Sequence, residues 1–380
     1  MGRRINPLLL AAAAIFLTPG DALSHDAVAH LDPELLSGWR TWLHLTIQWT
    51  HLVAFALWLG LTAGTLLLGI KPRLDHLLYS SWILFLVLLA TGTYNMEWSA
   101  GISETPSLFL LPLLQKIPYG VTYTLVLAVK LGLYVLTVLI ALVITLLHLR
   151  RQVREEQLRR VFFISESTLV FLLALATAVV LFYHEVADLW PTAVHSLGGV
   201  LGPEGPRGQT ILSQDFLPPN DFGLLTTRDA WIDIGLRFVH LMGFGLWTGS
   251  NAWLLAFGGT SPRRFILYSW VLLVIQILSG IASMGRWTPL YLLPYAWNFD
   301  ALSSLRFGSS YTLFITIKHG LVLTAISLMV IVTFRYLRLR SRADPFNFQP
   351  FVAASLFLGL AIGYIMMIVL LLHEGVDHVL

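Results

Sequence analysis

The sequence predicts an all-α, polytopic membrane protein: eight transmembrane helices arranged as two parallel-repeat four-helix bundles. Three observations carry that expectation. Of the 380 residues, 56% are hydrophobic and 12% charged, with a mean hydropathy of +0.74, beyond the composition of a water-soluble domain. The apolar residues fall in blocks of about 20 or more, the length that crosses a bilayer as a helix. The second half of the chain also repeats the first in order, spacing and polar identity.

The chain starts MGRRINPLLLAAAAIFLTPGDALSH, a basic start, a short apolar run and the small residues Ala22 and Ser24. That is the pattern of a secretory signal peptide over 1–24. A retained anchor helix is the alternative, for which the run is short. Cleavage after Ser24 gives a mature chain beginning His25-Asp26, whose amino terminus is a candidate copper ligand. An extracytoplasmic segment, 25–41, leads into a first four-helix unit, 42–187. A loop, 188–232, joins it to a second unit, 233–380.

The spans are expected at 42–66, 78–97, 119–148, 161–187, 233–257, 265–285, 311–336 and 351–373. Lys71, Arg73, Arg150, Arg151, Arg154, Arg159, Arg160, Arg263, Arg264, Arg335, Arg338, Arg340 and Arg342 all fall in loops on one side. The other side has longer loops and fewer basic residues. The first side is therefore read as cytoplasmic, which places the mature N-terminus and the C-terminus outside, in agreement with an exported start. The outer segments 188–232 and 286–310, with their Trp, Pro, Gly and acidic residues, are expected to form a cap that docks a partner or seals the bundle.

The repeat is seen in five places. HLVAFALWLG (51–60) returns as HLMGFGLWTG (240–249), 189 residues later, and Tyr79-Ser80 returns as Tyr268-Ser269 at the same offset. GTYNM (92–96) returns as GIASM (280–284), YTLVLAVKLGL (123–133) as YTLFITIKHGL (311–321), and HEVAD (184–188) as HEGVD (373–377). Four spans per unit is an even number, so both units enter the membrane in one direction, about a pseudo-twofold axis along its normal.

HLVAFALWLG, the Gly92–Asn95 turn and YTLVLAVKLGLYVLTVLIALV resemble the membrane domain of the CopD copper-resistance family. That domain has a His and a Trp-x-Gly on one helix, a Gly-x-x-Asn, and a Tyr followed by a Lys on a later helix. The resemblance covers 42–187 closely and 233–376 more loosely, with Ser283 where Asn95 stands. It implies a bacterial inner-membrane protein associated with copper, with His51, His240, Lys130 and Lys318 at the positions that match the pattern. The HExxD endings stand outside it.

His51 and His184, and likewise His240 and His373, are expected in the outer leaflet on facing helices. Two such imidazoles per unit are how b-type haem is commonly held. One face beside His51 carries Ala54, Phe55 and Trp58, and beside His240 Gly243, Phe244 and Trp247, a small residue and two aromatic ones suited to a flat cofactor. Copper is the alternative, with Met96 and Met284 as the recurring thioethers beside the four histidines. Cysteine is absent, which removes thiolate and iron–sulfur sites. Histidines that only tie helices together are the third reading.

Lys130 and Lys318 lie deep in their spans and are expected to face the bundle interior. Glu185 and Glu374 are their candidate partners, or support for the adjacent imidazoles. Arg237, Arg286 and Arg306, at the outer edge, are candidates for haem propionates. No nucleotide-binding loop, nucleophile triad or nucleic-acid patch is present. The leading expectation is a di-haem b electron-transfer protein, a redox subunit working with a periplasmic carrier such as a c-type cytochrome or cupredoxin, and with quinone as a further partner. The alternative is CopD-like copper transport or binding, and the third a membrane anchor subunit.

Overall fold

A computed structural model describes residues 36, 38–99, 120–196, 223–285, 298–303, 307–341 and 346–377. At 40, 97–99, 184–196, 223–224, 285, 301, 303 and 373–377 it describes the backbone alone. The signal-peptide reading, the candidate copper terminus at His25, most of both expected caps, Arg286 and Arg306 lie outside the described residues.

Every regular element among the described residues is helical. The long helices are α1 (Trp39–Leu59), α2 (Leu74–Ser99), α3 (Gly120–Leu149), α4 (Glu155–Ser196), α5 (Arg228–Phe257), α6 (Pro262–Gly285), α7 (Gly308–Ser341) and α8 (Gln349–Asp377). All except α5 are long and apolar enough to cross a membrane, α1 together with the turns that extend it to Leu68. On α3, Leu125, Val129, Leu136, Leu139 and Val143 are exposed, as expected where lipid replaces water. The chain is a polytopic membrane protein. α5 is less apolar because Arg228, Asp229, Asp233 and Arg237 lie in its first three turns and His240, Ser250, Asn251 and several glycines in the rest. Its neighbours are protein on several sides, for α1, α4, α6 and α8 all pack against it. Thr227 starts it, its hydroxyl accepting from the Ala230 N–H at 3.3 Å, a standard N-cap.

α1 and α5 cross at the centre, and glycine makes the crossing possible. α1 passes into a π-helical turn at Gly60–Gly64 and a last α-turn at Thr65–Leu68. A Cβ at Gly60 would overlap the Gly249 backbone, one at Gly249 the Ala56 carbonyl, and one at Gly64 the Ser250 side chain. One at Gly245 would lie 2.8 Å from Leu59 Cδ2. The two helices thus meet through Gly60/Gly64 and Gly245/Gly249, a small-xxx-small contact on both sides. α1 ends at Gly69, whose φ of +70° is the left-handed conformation glycine adopts freely. The Leu68 carbonyl at this helix end is bonded from the far half of the chain by Thr260 Oγ1 (2.8 Å) and Arg264 Nη1 (3.2 Å).

The two expected bundles do not stand apart. Ala54, Trp58, Leu61, Phe85, Ile144 and Phe162 form a core that Met242, Leu246, Trp253 and Phe257 of α5 complete. At the end away from the basic loops, Val179–Tyr183 of α4 pack with Tyr123 and Leu127 of α3 and with Ala230 and Ile234 of α5. In the same way, Ile368–Leu372 of α8 pack with Tyr311 and Ile315 of α7 and with Leu45 of α1. Each of α4 and α8 therefore leans, at the end away from the basic loops, on the first helix of the other half. Trp49 Nε1 donating to the Leu360 carbonyl (3.1 Å) and Trp253 Nε1 to the Leu57 carbonyl (2.6 Å) fasten the same cross-packing.

One register differs from the sequence reading. Trp82 Nε1 donates to Thr145 Oγ1 (3.1 Å) and Trp270 Nε1 to Thr333 Oγ1 (3.0 Å). These equivalent contacts align α2 with α6 at an offset one residue shorter than that of α1 with α5, so Ser81 matches Ser269, both fully buried. Tyr79 is 71% exposed, whereas Tyr268 is bonded to Ser250 Oγ at 2.7 Å. Their shared Tyr-Ser letters are a coincidence of sequence.

Candidate functional site

His51 on α1 is half-buried against α2, where its Nδ1 lies 2.8 Å from Thr91 Oγ1. Thr91 spends its single hydroxyl proton on the Val87 carbonyl of its own helix, at 2.6 Å. Its oxygen can then only accept, so His51 Nδ1 carries the proton and Nε2 is left with its lone pair. The second half builds the same device. His240 Nδ1 lies 2.9 Å from Ser279 Oγ, and that hydroxyl donates to the Ile275 carbonyl at 2.7 Å. Each imidazole is oriented by a hydroxyl through one nitrogen and presents the other, as metal-ligating histidines are held.

A glycine lies beside each ring. A Cβ at Gly92 would press on His51 Cε1 at 3.3 Å, whereas one at Gly280 would meet His240 Cε1 at 3.5 Å, an ordinary van der Waals contact. The lysines join the arrangement: Lys130 is within Coulombic range of His51, and Lys318 of His240. Lys318 Nζ also contacts Met366 Sδ at 3.6 Å.

Other expected residues lie elsewhere. Met96 packs in the outer cluster with Tyr123 and Tyr183, and Met284 in the cluster with Leu45 and Tyr311. Trp58 and Trp247 are almost fully buried core residues, and Trp58 stands edge-on to Phe85 at 5.2 Å. The recess expected beside His240 at Gly243 is filled. Gln276 occupies the space that a Cβ would take and donates to the His240 carbonyl, so the small residue there accommodates an amide. Arg237 is bonded to Asp233 Oδ2 at 2.8 Å.

The side chains of His184, Glu185, His373 and Glu374 lie outside the described residues, while their helices are continuous through those positions. The backbone sets the register of α8 on α5. Gly359 abuts Thr248 and Gly363 abuts Phe244, so in this antiparallel pair position 367 stands opposite His240. Residue 373 is six positions further out, about 9 Å along the axis. The helical turn before His373 leans on α1 and the one before His184 leans on α5. Among the described residues, no three His, Asp or Glu side chains converge on one point.

Two buried polar residues had been passed over in the sequence. His44 lies one face-repeat before His51 on α1, 4% exposed, its ring 5.9 Å from that of Tyr94. Glu166 is fully buried in α4. Both had an available signal, an ionisable side chain inside an apolar block. Comparison of the chain with known protein families, characterised proteins and solved structures returns no match.

Proposed function

We propose that this chain is a di-haem, b-type electron-transfer protein of a bacterial inner membrane, a tandem duplication with one haem site in each half. The observation that carries the reading is the pair of oriented imidazoles. His51 and His240 are each locked by a helix-bonded hydroxyl into the tautomer that leaves Nε2 as donor to iron. His51 and His240 serve as the inner axial ligands, with His184 and His373, nearer the surface on α4 and α8, as the outer ones. Lys130 and Lys318 balance the propionate charge, with Arg286 and Arg306 as further partners at the outer edge. Haem supplies reversible one-electron chemistry, while the surrounding helices exclude water from both imidazoles.

The clustering of Lys and Arg at one end of the helices supports a cytoplasmic basic face with both termini periplasmic, and α5 as an eighth span. The histidines then sit toward the periplasmic side, where electrons pass between the two sites and a soluble c-type cytochrome or cupredoxin, or a quinone between helices. CopD-like copper binding is the second reading. It is favoured by Met366, whose thioether contacts Lys318 beside His240 and is a soft ligand for copper(I).

A reduced-minus-oxidised visible spectrum of the purified full-length protein, taken beside a metal analysis, separates the two. Haem bands that lose one half of their amplitude in His51→Ala and the other in His240→Ala are the expected result. Bound copper without haem would assign the second reading. Intact cofactor content in all four His→Ala variants would leave the histidines a helix-tying role and defeat both.

A further inference from the structure

Between Arg160 and Tyr183, the only ionisable side chain of α4 is Glu166. It is 0% exposed, and neither carboxyl oxygen has a hydrogen-bond partner among the described residues. The Trp58 indole N–H faces it within electrostatic reach, though outside hydrogen-bond geometry, and is itself without another partner there. Among the described residues, no cation is paired with it. On α3, Tyr134 packs against the same core, and its hydroxyl is committed to the Phe85 carbonyl at 2.6 Å. On α1 it is His51, seven residues further out than Trp58, with Lys130 of α3 beside it. Asp75 and His76 of α2 lie at the basic end, and α5 has no ionisable residue between His240 and Phe257.

Packing does not require this acid. The corresponding position of the second half, 189 residues later, is Ser355, which is also 0% exposed. One half thus tolerates a small hydroxyl where the other keeps a carboxyl. An isolated buried carboxylate is costly without a hydrogen-bond partner, and the nearby Trp58 indole N–H is a donor that a small side-chain movement can bring to it. We infer that Glu166, with Trp58, is a reversible proton-binding site within the membrane, present in the first half of the molecule and not in the second. The proton binds to and leaves one carboxylate oxygen, and no other bond changes. The inference stands apart from the haem reading and does not depend on it.

Infrared difference spectroscopy on the full-length protein in lipid nanodiscs, recorded across a pH titration, tests it. The expected result is a carboxylic C=O band that titrates reversibly, shifts in deuterium oxide and is missing in Glu166→Gln. Trp58→Phe moves its midpoint by about one pH unit, a tenfold change in proton affinity, and Trp247→Phe leaves it in place. Glu166→Asp, which keeps the acid, gives a displaced band and covers a Gln variant that does not assemble. A Glu166 carboxyl fixed in one state over the whole pH range in which the protein stays folded would overturn the inference. So would a titration that follows sodium concentration at constant pH, which would assign the carboxylate to a metal cation.

Discussion

Replacing Thr91 by Val removes an oxygen from a site where two groups depend on it and changes almost nothing else in shape. In the native chain, His51 Nδ1–H donates to Thr91 Oγ1 over 2.8 Å, and the hydroxyl donates on to the Val87 carbonyl over 2.6 Å. An interhelical hydrogen bond in a membrane protein is worth about 0.6–1.7 kcal/mol. An imidazole N–H left without an acceptor in this half-buried position raises the cost within the range of about 1–3 kcal/mol. A loss near 1.5 kcal/mol, roughly tenfold in the folding equilibrium, is therefore expected for Thr91→Val, while Thr91→Ser stays within about 0.5 kcal/mol of the native protein. The same change frees the ring to exchange tautomers, so any metal or haem held by Nε2 weakens by about 10–100-fold. Detergent-induced unfolding followed by circular dichroism reads the first effect, and cofactor content per chain reads the second. Ser279→Ala should reproduce both at His240. The reasoning fails if Thr91→Val matches Thr91→Ser in both measurements, or if it costs no more than Thr50→Val, which removes an exposed hydroxyl bonded only within its own helix.

Two further expectations follow from the packing. Gly249→Val places side-chain carbon where the Ala56 carbonyl stands, and is expected to cost about 3 kcal/mol in the same unfolding assay, whereas Gly235→Ala, with nothing within 4 Å, should leave stability unchanged. Trp82→Phe and Trp270→Phe should each lose about 0.6–1.7 kcal/mol and add in the double variant, because their bonds to Thr145 and Thr333 share no partner; strongly unequal losses would break the equivalence of α2 and α6.

Apolar block length made most of the helices legible in the sequence, because a bilayer imposes that length. The recurrence of His51 with Gly92, and of His240 with Gly280, was also legible, and the structure brings each pair into contact. The hydroxyls that orient these rings were overlooked because Thr91 and Ser279 are different letters with one shared function. Tyr79 shows the opposite failure, identical letters on a wrong register, which only the Trp82 and Trp270 bonds resolve. Gly60, Gly64, Gly245 and Gly249 stood in plain view at small-xxx-small spacing, but their meaning depends on which helices cross. The lean of α4 onto α5 and of α8 onto α1 has no signal in one dimension. It arises from how two halves fill a common centre.

The cap on Leu68 bears on the order in which this protein is made. The carbonyl that closes the first span is bonded by side chains 192 and 196 residues later in the chain, and the glycine face beside it meets α5, which is also synthesised after the whole first half. A ribosome thus releases four helices whose central member cannot yet be finished. Until the second half inserts, α1 keeps an open groove and an unsatisfied end, and lipid or an insertion chaperone must cover them. α1 is translated before α5, yet its contacts are completed only when α5 arrives. A chain severed between its halves would leave two fragments with complementary unfinished surfaces.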